Sequence, residues 1–267
     1  ELVARKYGLD PASIIKLASN ENPLGMSPKA RQAIDATLTD TYRYPENYAL
    51  EQALARFYDI PSEYVAIASG STGALELVAK TYLGEGREAI SSEYAFAMYN
   101  IVTQTAGATN VVVPSRDYGH DLAAMREAIT PKTRVIWVTN PNNPTGTFVS
   151  YDELKAFLEA VPKQIIVVLD EAYYEYLEED DRAVSHRWLD AFPNLVIVRT
   201  FSKVHGLAGA RVGYALAHPG VAELLNKVRY PFVVSTSAIA GATAALEDTA
   251  FVSRSVALNR RESRRLV

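Results

Sequence analysis

The sequence predicts an α/β fold built on a mainly parallel sheet with helices on both faces. Short β-branched apolar runs recur along the chain: RVIWV at 134–138, QIIVVL at 164–169 and NLVIV at 194–198, with TNVVV at 109–113 and RVGYALA at 211–217 as weaker examples. Helical patterns fall between several of them, namely ALELVAKTYL at 74–83, LAAMREAI at 122–129 and DELKAFLEA at 152–160. Runs that are apolar at successive positions belong to strands buried on both faces, as in a parallel sheet between helical layers. Ligands of such sheets gather at the carboxyl ends of the strands. The residues just after each run are therefore where chemistry is expected.

Composition narrows the class. The chain has 267 residues, 48% hydrophobic and 22% charged, which fits one large globular domain or two modest ones. A net charge of −4 argues against a nucleic-acid or anionic-membrane surface. No apolar run approaches the ~18–20 residues needed to cross a bilayer. The absence of cysteine excludes disulfides and thiolate metal sites and points to a reducing cytoplasm. His120, His186, His205 and His218 are scattered without metal-ligand spacing, so no metal site is expected. The chain begins at Glu1 and closes on NRRESRRLV, a helical pattern with no C-cap signal, so further polypeptide is expected at both ends. The expected organisation is an irregular arm over 1–25, a globular body over 26–250 and a charged helix from 251 to 267 leading to another domain.

After QIIVVL comes Asp170, at the end of a strand expected to be buried. An unpaired buried carboxylate costs several kcal/mol, so it calls for a cation or good donors. An arginine or a helix cap would serve, and so would a protonated heterocycle. After RVIWV comes TNPNNPTG at 139–146, a turn that presents amide side chains at the same sheet edge. At 68–77, ASGSTGALEL runs small and hydroxyl residues straight into a helix, with Ser71 or Thr72 near its N-cap. Open N–H groups and the positive dipole end make an anion cradle there. The dipole contributes only ~0.3–2 kcal/mol, so a full cation should assist, and Arg211 is the candidate. After NLVIV the chain reads RTFSKVHGLAGARVGY at 199–214, placing Lys203 at a strand end among small residues. Burial lowers a lysine's pKa, and the neutral amine is a nucleophile toward carbonyls. Lysine, carboxylate, amide-rich loop and anion cradle together match a phosphorylated aldehyde on a pyridine ring.

These motifs resemble the fold-type-I pyridoxal-phosphate aminotransferases, most closely the histidinol-phosphate aminotransferase group. The resemblance runs through SNENPLG at 19–25, YRYPE at 42–46, GSTGALEL at 70–77, YAFAMY at 94–99, NPNNPTG at 140–146, VVLDEAYYEY at 167–176 and TFSKVHGLAGARVGY at 200–214. It implies the large domain of that fold, with the small C-terminal domain absent after Val267. It implies pyridoxal 5'-phosphate bound covalently to Lys203, with Asp170 on the ring nitrogen. Asn143 and Tyr173 would bond the 3-oxygen, and Phe96 would stack on the ring. Ser71, Thr72, Thr200, Ser202 and Arg211 would surround the phosphate. Lys203, Asp170 and Tyr173 would be the catalytic set. Tyr44 would reach the partner subunit's phosphate site, implying a homodimer with shared sites. His205 and Ala210 depart from the family's usual aromatic and leucine. The clustered Arg254, Arg260, Arg261, Arg264 and Arg265 read as a solvated helix face. The implied reaction moves an amino group from a small-molecule donor, histidinol phosphate first among them, to a 2-oxo acid. An aromatic or specialised-pathway aminotransferase, a decarboxylase of the threonine-phosphate type and a non-catalytic cofactor-binding regulator are the other expectations.

Overall fold

A computed structural model describes residues 2–266. Seven strands form one sheet: β1 (Val65–Ala68), β2 (Glu88–Ser92), β3 (Thr109–Val113), β4 (Thr133–Thr139), β5 (Ile166–Asp170), β6 (Leu195–Thr200) and β7 (Gly213–Ala217). Their spatial order is β1-β7-β6-β5-β4-β2-β3. All pairings are parallel except those of β7, which runs against β1 and β6. The arm carries α1 (Leu2–Tyr7), and α2 (Pro28–Ala36) and α3 (Tyr48–Tyr58) precede the sheet. Between strands lie α4 (Gly70–Tyr82), α5 (Met98–Thr105), α6 (Leu122–Glu127) and α7 (Tyr151–Ala160); α8 (Pro219–Val228), α9 (Thr236–Leu246) and α10 (Thr249–Leu266) follow β7.

The predicted mainly parallel sheet, sandwiched between helices, is the one observed. All five apolar runs are strands, but RVGYALA enters its strand only at Gly213 because Arg211 sits at φ 55 in a left-handed turn. Successive strand residues face opposite sides, and the core divides accordingly. Val135, Trp137, Val168, Val196 and Val198 pack with α4, α5 and α8, while Ile136, Val138, Val167, Leu169 and Ile197 pack with α3, α7 and α9. Each such side chain contributes about 1.5–3 kcal/mol on burial. Helix starts follow their sequence signals: Ser150 and Glu153 form a reciprocal capping box at α7, and the Ser27 and Ser235 hydroxyls cap α2 and α9. The arm, expected to be irregular, joins no strand but carries the short helix α1, and the charged tail is the 18-residue helix α10. No helix among the described residues is long and apolar enough to cross a membrane.

Candidate active site

The period of two decides what each strand delivers at its carboxyl end. Continuing the alternation, Thr139, Asp170 and Thr200 emerge on the α4–α5 face, and Glu171 and Arg199 on the other. Thr139 lies opposite Asp170 in the β4–β5 register. Every predicted site residue except Tyr44 lines one cavity of about 690 Å³ at this edge. A cavity of that size suits a small-molecule ligand.

Asp170 is buried, with Tyr99 Oη donating to Oδ2 at 3.0 Å and the Ala172 N–H donating to Oδ1 at 3.1 Å. Burial pushes its carboxyl up to about 6 against the pull of these two donors. The sequence left open an arginine as its partner. The buried arginine, Arg199, instead serves the neighbouring Glu171, with Nη2 2.7 Å from Oε2. Among the described residues no ion pair reaches Asp170, so its charge is left for a cationic ligand group to meet.

The anion end is built by close backbone approach. Gly70, at φ 72, opens α4, and a Cβ there would sit 2.5 Å from Arg211 Nη2. A Cβ on Gly213 would overlap the Gly70 carbonyl carbon and the Ser71 nitrogen. Only glycine at both places lets the start of α4, β7 and the arginine converge. The structure moves the N-cap from the expected Ser71 or Thr72 back to Ser69, because the left-handed Gly70 already turns the chain into the helix. Ser69 makes no side-chain cap bond. The first amides of this 13-residue helix are therefore not capped by their own side chain, and Ser71 and Thr72 line the cavity beside them. Thr200 and Ser202 complete this end, their hydroxyls 2.9 Å apart. Arg211 Nη1 is steadied by the Ala208 carbonyl at 2.9 Å.

The asparagine loop sorts its amides by role. Asn140 bridges to Val149, donating to its carbonyl at 2.8 Å and accepting from its N–H at 2.9 Å. Asn142 donates to the Tyr94 carbonyl and to Thr145 Oγ1 at 2.8 and 2.7 Å. These two hold the loop, and Asn143 lines the cavity. Phe96 meets Tyr99 edge-on with centroids 5.9 Å apart, and Tyr99 stacks on Trp137 at 5.6 Å. Lys203 is half-buried, and burial lowers its pKa. Its Nζ donates to the Ser19 carbonyl at 2.8 Å and lies 5.5 Å from the Tyr173 ring centre. Tyr44 stands apart, exposed and stacked on Phe232 at 4.4 Å.

Sequence reasoning missed Tyr99, the donor to Asp170, although it lies inside a quoted motif, because its aromatic spacing on α5 reads as core. It also missed Ser19, Asn20 and Glu21, arm residues that line the cavity. The donor set fits a phosphorylated pyridine aldehyde: an amine for the aldehyde, an unmet carboxylate for a ring N–H, two polar side chains between them and an uncapped helix start with an arginine.

Fold and cavity together define an α/β enzyme whose site opens at the carboxyl ends of parallel strands. The sequence model of the family described as aminotransferase class I and II matches residues 12–266, and the chain belongs to that family. It is 49% identical over 265 residues to histidinol-phosphate aminotransferase 1 of Dechloromonas aromatica (strain RCB), covering 99% of this chain and 73% of that protein. It is 51% identical over 259 residues to histidinol-phosphate aminotransferase 1 of Thiobacillus denitrificans, covering 96% of this chain and 67% of the relative. Its structure is similar to the crystal structure of histidinol-phosphate aminotransferase from Sinorhizobium meliloti in complex with pyridoxal-5'-phosphate. There the TM-score is 0.90 and the identity 32%, over 96% of this chain and 69% of that one.

Proposed function

We propose that this chain is a pyridoxal-phosphate-dependent aminotransferase that takes the amino group of histidinol phosphate and passes it to 2-oxoglutarate, acting as a cytoplasmic homodimer. The observation that carries the reading is the convergence of Lys203 and the uncompensated Asp170 in one cavity beside an uncapped helix start. The relatives near half identity, which bear the histidinol-phosphate name, support the substrate. In this reading residues 26–250 bind the cofactor, the arm before them covers their edge and α10 follows them.

When bound, pyridoxal 5'-phosphate supplies a carbonyl carbon that takes up amines and a ring that accepts electron density. The protein supplies the rest. Lys203 Nζ, its charged form disfavoured by burial, would serve as nucleophile toward that carbonyl and, when free, as the group that takes and returns the substrate's α-proton. Asp170 keeps a ring N–H bound and charged, which a buried carboxylate without another cation does strongly. Asn143 and Tyr173 hold the 3-oxygen, and Phe96 covers a ring face. Ser71, Thr72, Thr200, Ser202 and Arg211 hold the phosphate, with the α4 dipole adding to the arginine's charge. Exposed Tyr44, with exposed Tyr42, Tyr48 and Phe232, offers an aromatic surface to a second copy, whose phosphate site Tyr44 completes.

Adding pyridoxal phosphate to the purified protein should produce a visible absorption band that histidinol phosphate bleaches faster than phenylalanine, tyrosine or glutamate. Lys203→Ala should lose both the band and turnover. Retention of both in that variant would overturn the assignment.

A further inference from the structure

The arm crosses the mouth of the cavity through two residues in left-handed conformation, Ser19 at φ 73 and Asn20 at φ 51. Side-chain-bearing residues reach that region at a cost of roughly 1–2 kcal/mol each, so the turn needs external ties. The Ser19 carbonyl accepts from Lys203 Nζ at 2.8 Å, and Asn20 Nδ2 donates to Tyr173 Oη at 3.0 Å. Two residues on, Asn22 Nδ2 reaches the Val204 carbonyl at 2.9 Å and Ser255 Oγ at 2.8 Å. Gly25 then packs so closely on Gly206 that any Cβ at 206 would overlap its carbonyl. The segment 19–25 is thus fastened at both its ends to the loop that carries Lys203.

We propose that Asn20 is a positioning residue for amino transfer: by donating to Tyr173 Oη it commits the phenol proton to the cavity, as the donor to the cofactor's 3-oxygen. The proposal rests on the functional reading above and adds a residue to it. An amide nitrogen has donors only, so the phenol oxygen that receives it must send its own proton elsewhere. No other hydrogen bond to that oxygen is present among the described residues, and Tyr173 lines the cavity. A hydroxyl that accepts one hydrogen bond is polarised into a better donor for the next. Burial raises the Tyr173 pKa while the Asn20 bond draws it down, so the phenol keeps its proton at neutral pH. The same turn sets the amine and the phenol, because Ser19 and Asn20 are consecutive.

Asn20→Asp keeps the shape and turns the donor into an acceptor, whereas Asn20→Ala removes the partner. Asn20 is exposed, so neither change opens the core. The test is the pH titration of the visible band in each variant loaded with pyridoxal phosphate. In the aspartate variant the carboxylate draws the phenol proton away, and the 3-oxygen, without its donor, holds its own proton more tightly. The band's midpoint should rise by about one pH unit, tenfold in proton affinity, with alanine shifting it about threefold or less. An aspartate shift at least threefold larger than the alanine shift supports the proposal, and any smaller difference overturns it. A purely structural role would lower the melting temperature of both variants without separating their titrations. A second arm needs no cofactor: the ultraviolet phenol titration of Tyr173, isolated as the difference from Tyr173→Phe in each background, should move upward further with aspartate than with alanine. If wild type develops no visible band, the functional reading fails and the role in amino transfer with it, while this titration still shows whether Asn20 donates to the Tyr173 phenol.

Discussion

Replacing Asp170 with asparagine should stabilise the cofactor-free protein at neutral pH while weakening cofactor binding. Burial lifts the carboxyl from 3.8 to about 6, so the folded state carries an ionised group it holds less well than water does. That rise corresponds to about 3 kcal/mol at a pH above both values. The sign follows from proton counts. Between about pH 4 and 6 the folded protein binds more protons than the unfolded chain, so stability falls as pH rises through that window, and the penalty is complete above it. The Asp170→Asn variant would carry no such penalty, but one end of the introduced amide faces donors from Tyr99 and Ala172, a mismatch costing about 1 kcal/mol. The net gain is about 2 kcal/mol, or roughly 4–8 °C in melting temperature for a chain of this size. Thermal melts of cofactor-free wild type and Asp170→Asn should differ in this sense at pH 8 and cross between about pH 4 and 5, below which the amide mismatch leaves the variant slightly the less stable. With pyridoxal phosphate added the order should narrow or reverse. The variant loses a charge-assisted hydrogen bond worth about 1.5–3 kcal/mol, a Kd roughly ten- to hundredfold weaker. A variant that melts below wild type at pH 8 without cofactor would refute the claim that Asp170 is uncompensated.

Gly213→Ala forces a Cβ into the Gly70 carbonyl carbon and the Ser71 nitrogen, so the start of α4 must shift. Overpacking of this kind costs typically 1–3 kcal/mol, and fluorescence titration should show pyridoxal phosphate binding at least about tenfold weaker. Arg199→Leu strips the buried Glu171 of its cation and should cost about 3–5 kcal/mol in urea unfolding, whereas Arg199→Leu with Glu171→Leu should recover most of that loss. A double variant as unstable as the single one would place the cost outside the Arg199–Glu171 pair, in shape or in Glu175, whose carboxyl Arg199 also favours in its charged form.

The strands that carry the site were legible because β4, β5 and β6 are long β-branched runs with both faces buried. β1 and β2 were not, since VAIA is only four residues and EAISS ends in serines whose hydroxyls pair across the edge with Asn110 and Ser115. Lys203 and Asp170 could be picked out because charge at the end of an apolar run demands a partner, and Arg211 because the anion cradle at the start of α4 calls for a full cation. The choice among Asn140, Asn142 and Asn143 could not be made from spacing alone. It depends on which amides the folded loop consumes. The arm's contribution was hidden for a similar reason: Ser19 and Asn20 reach the cavity only through a left-handed turn held by residues more than 150 positions away.

Asp170 and Glu171 are adjacent carboxylates, both buried, and the pleat sends them to opposite faces with opposite fates. Glu171 accepts from Arg199 Nε and Nη2 at 2.9 and 2.7 Å, from Ser185 Oγ at 2.9 Å and from Tyr151 Oη at 2.8 Å. The guanidinium is itself covered by the Tyr174 ring, 3.7 Å from its centre. That cluster is electrostatically closed and has nothing left to offer a ligand. It ties the ends of β5 and β6 together from behind, and so fixes the spacing at which Asp170 and Thr200 appear in front. Asp170, with two donors and no ion pair among the described residues, is open. A ligand that brings a positive charge to it gains the relief of a penalty already present in the empty site, a larger differential than any contact made between groups already satisfied. Of two neighbouring acids in the sequence, the proposed function draws on the unsatisfied one, and the satisfied one holds the strands that present it.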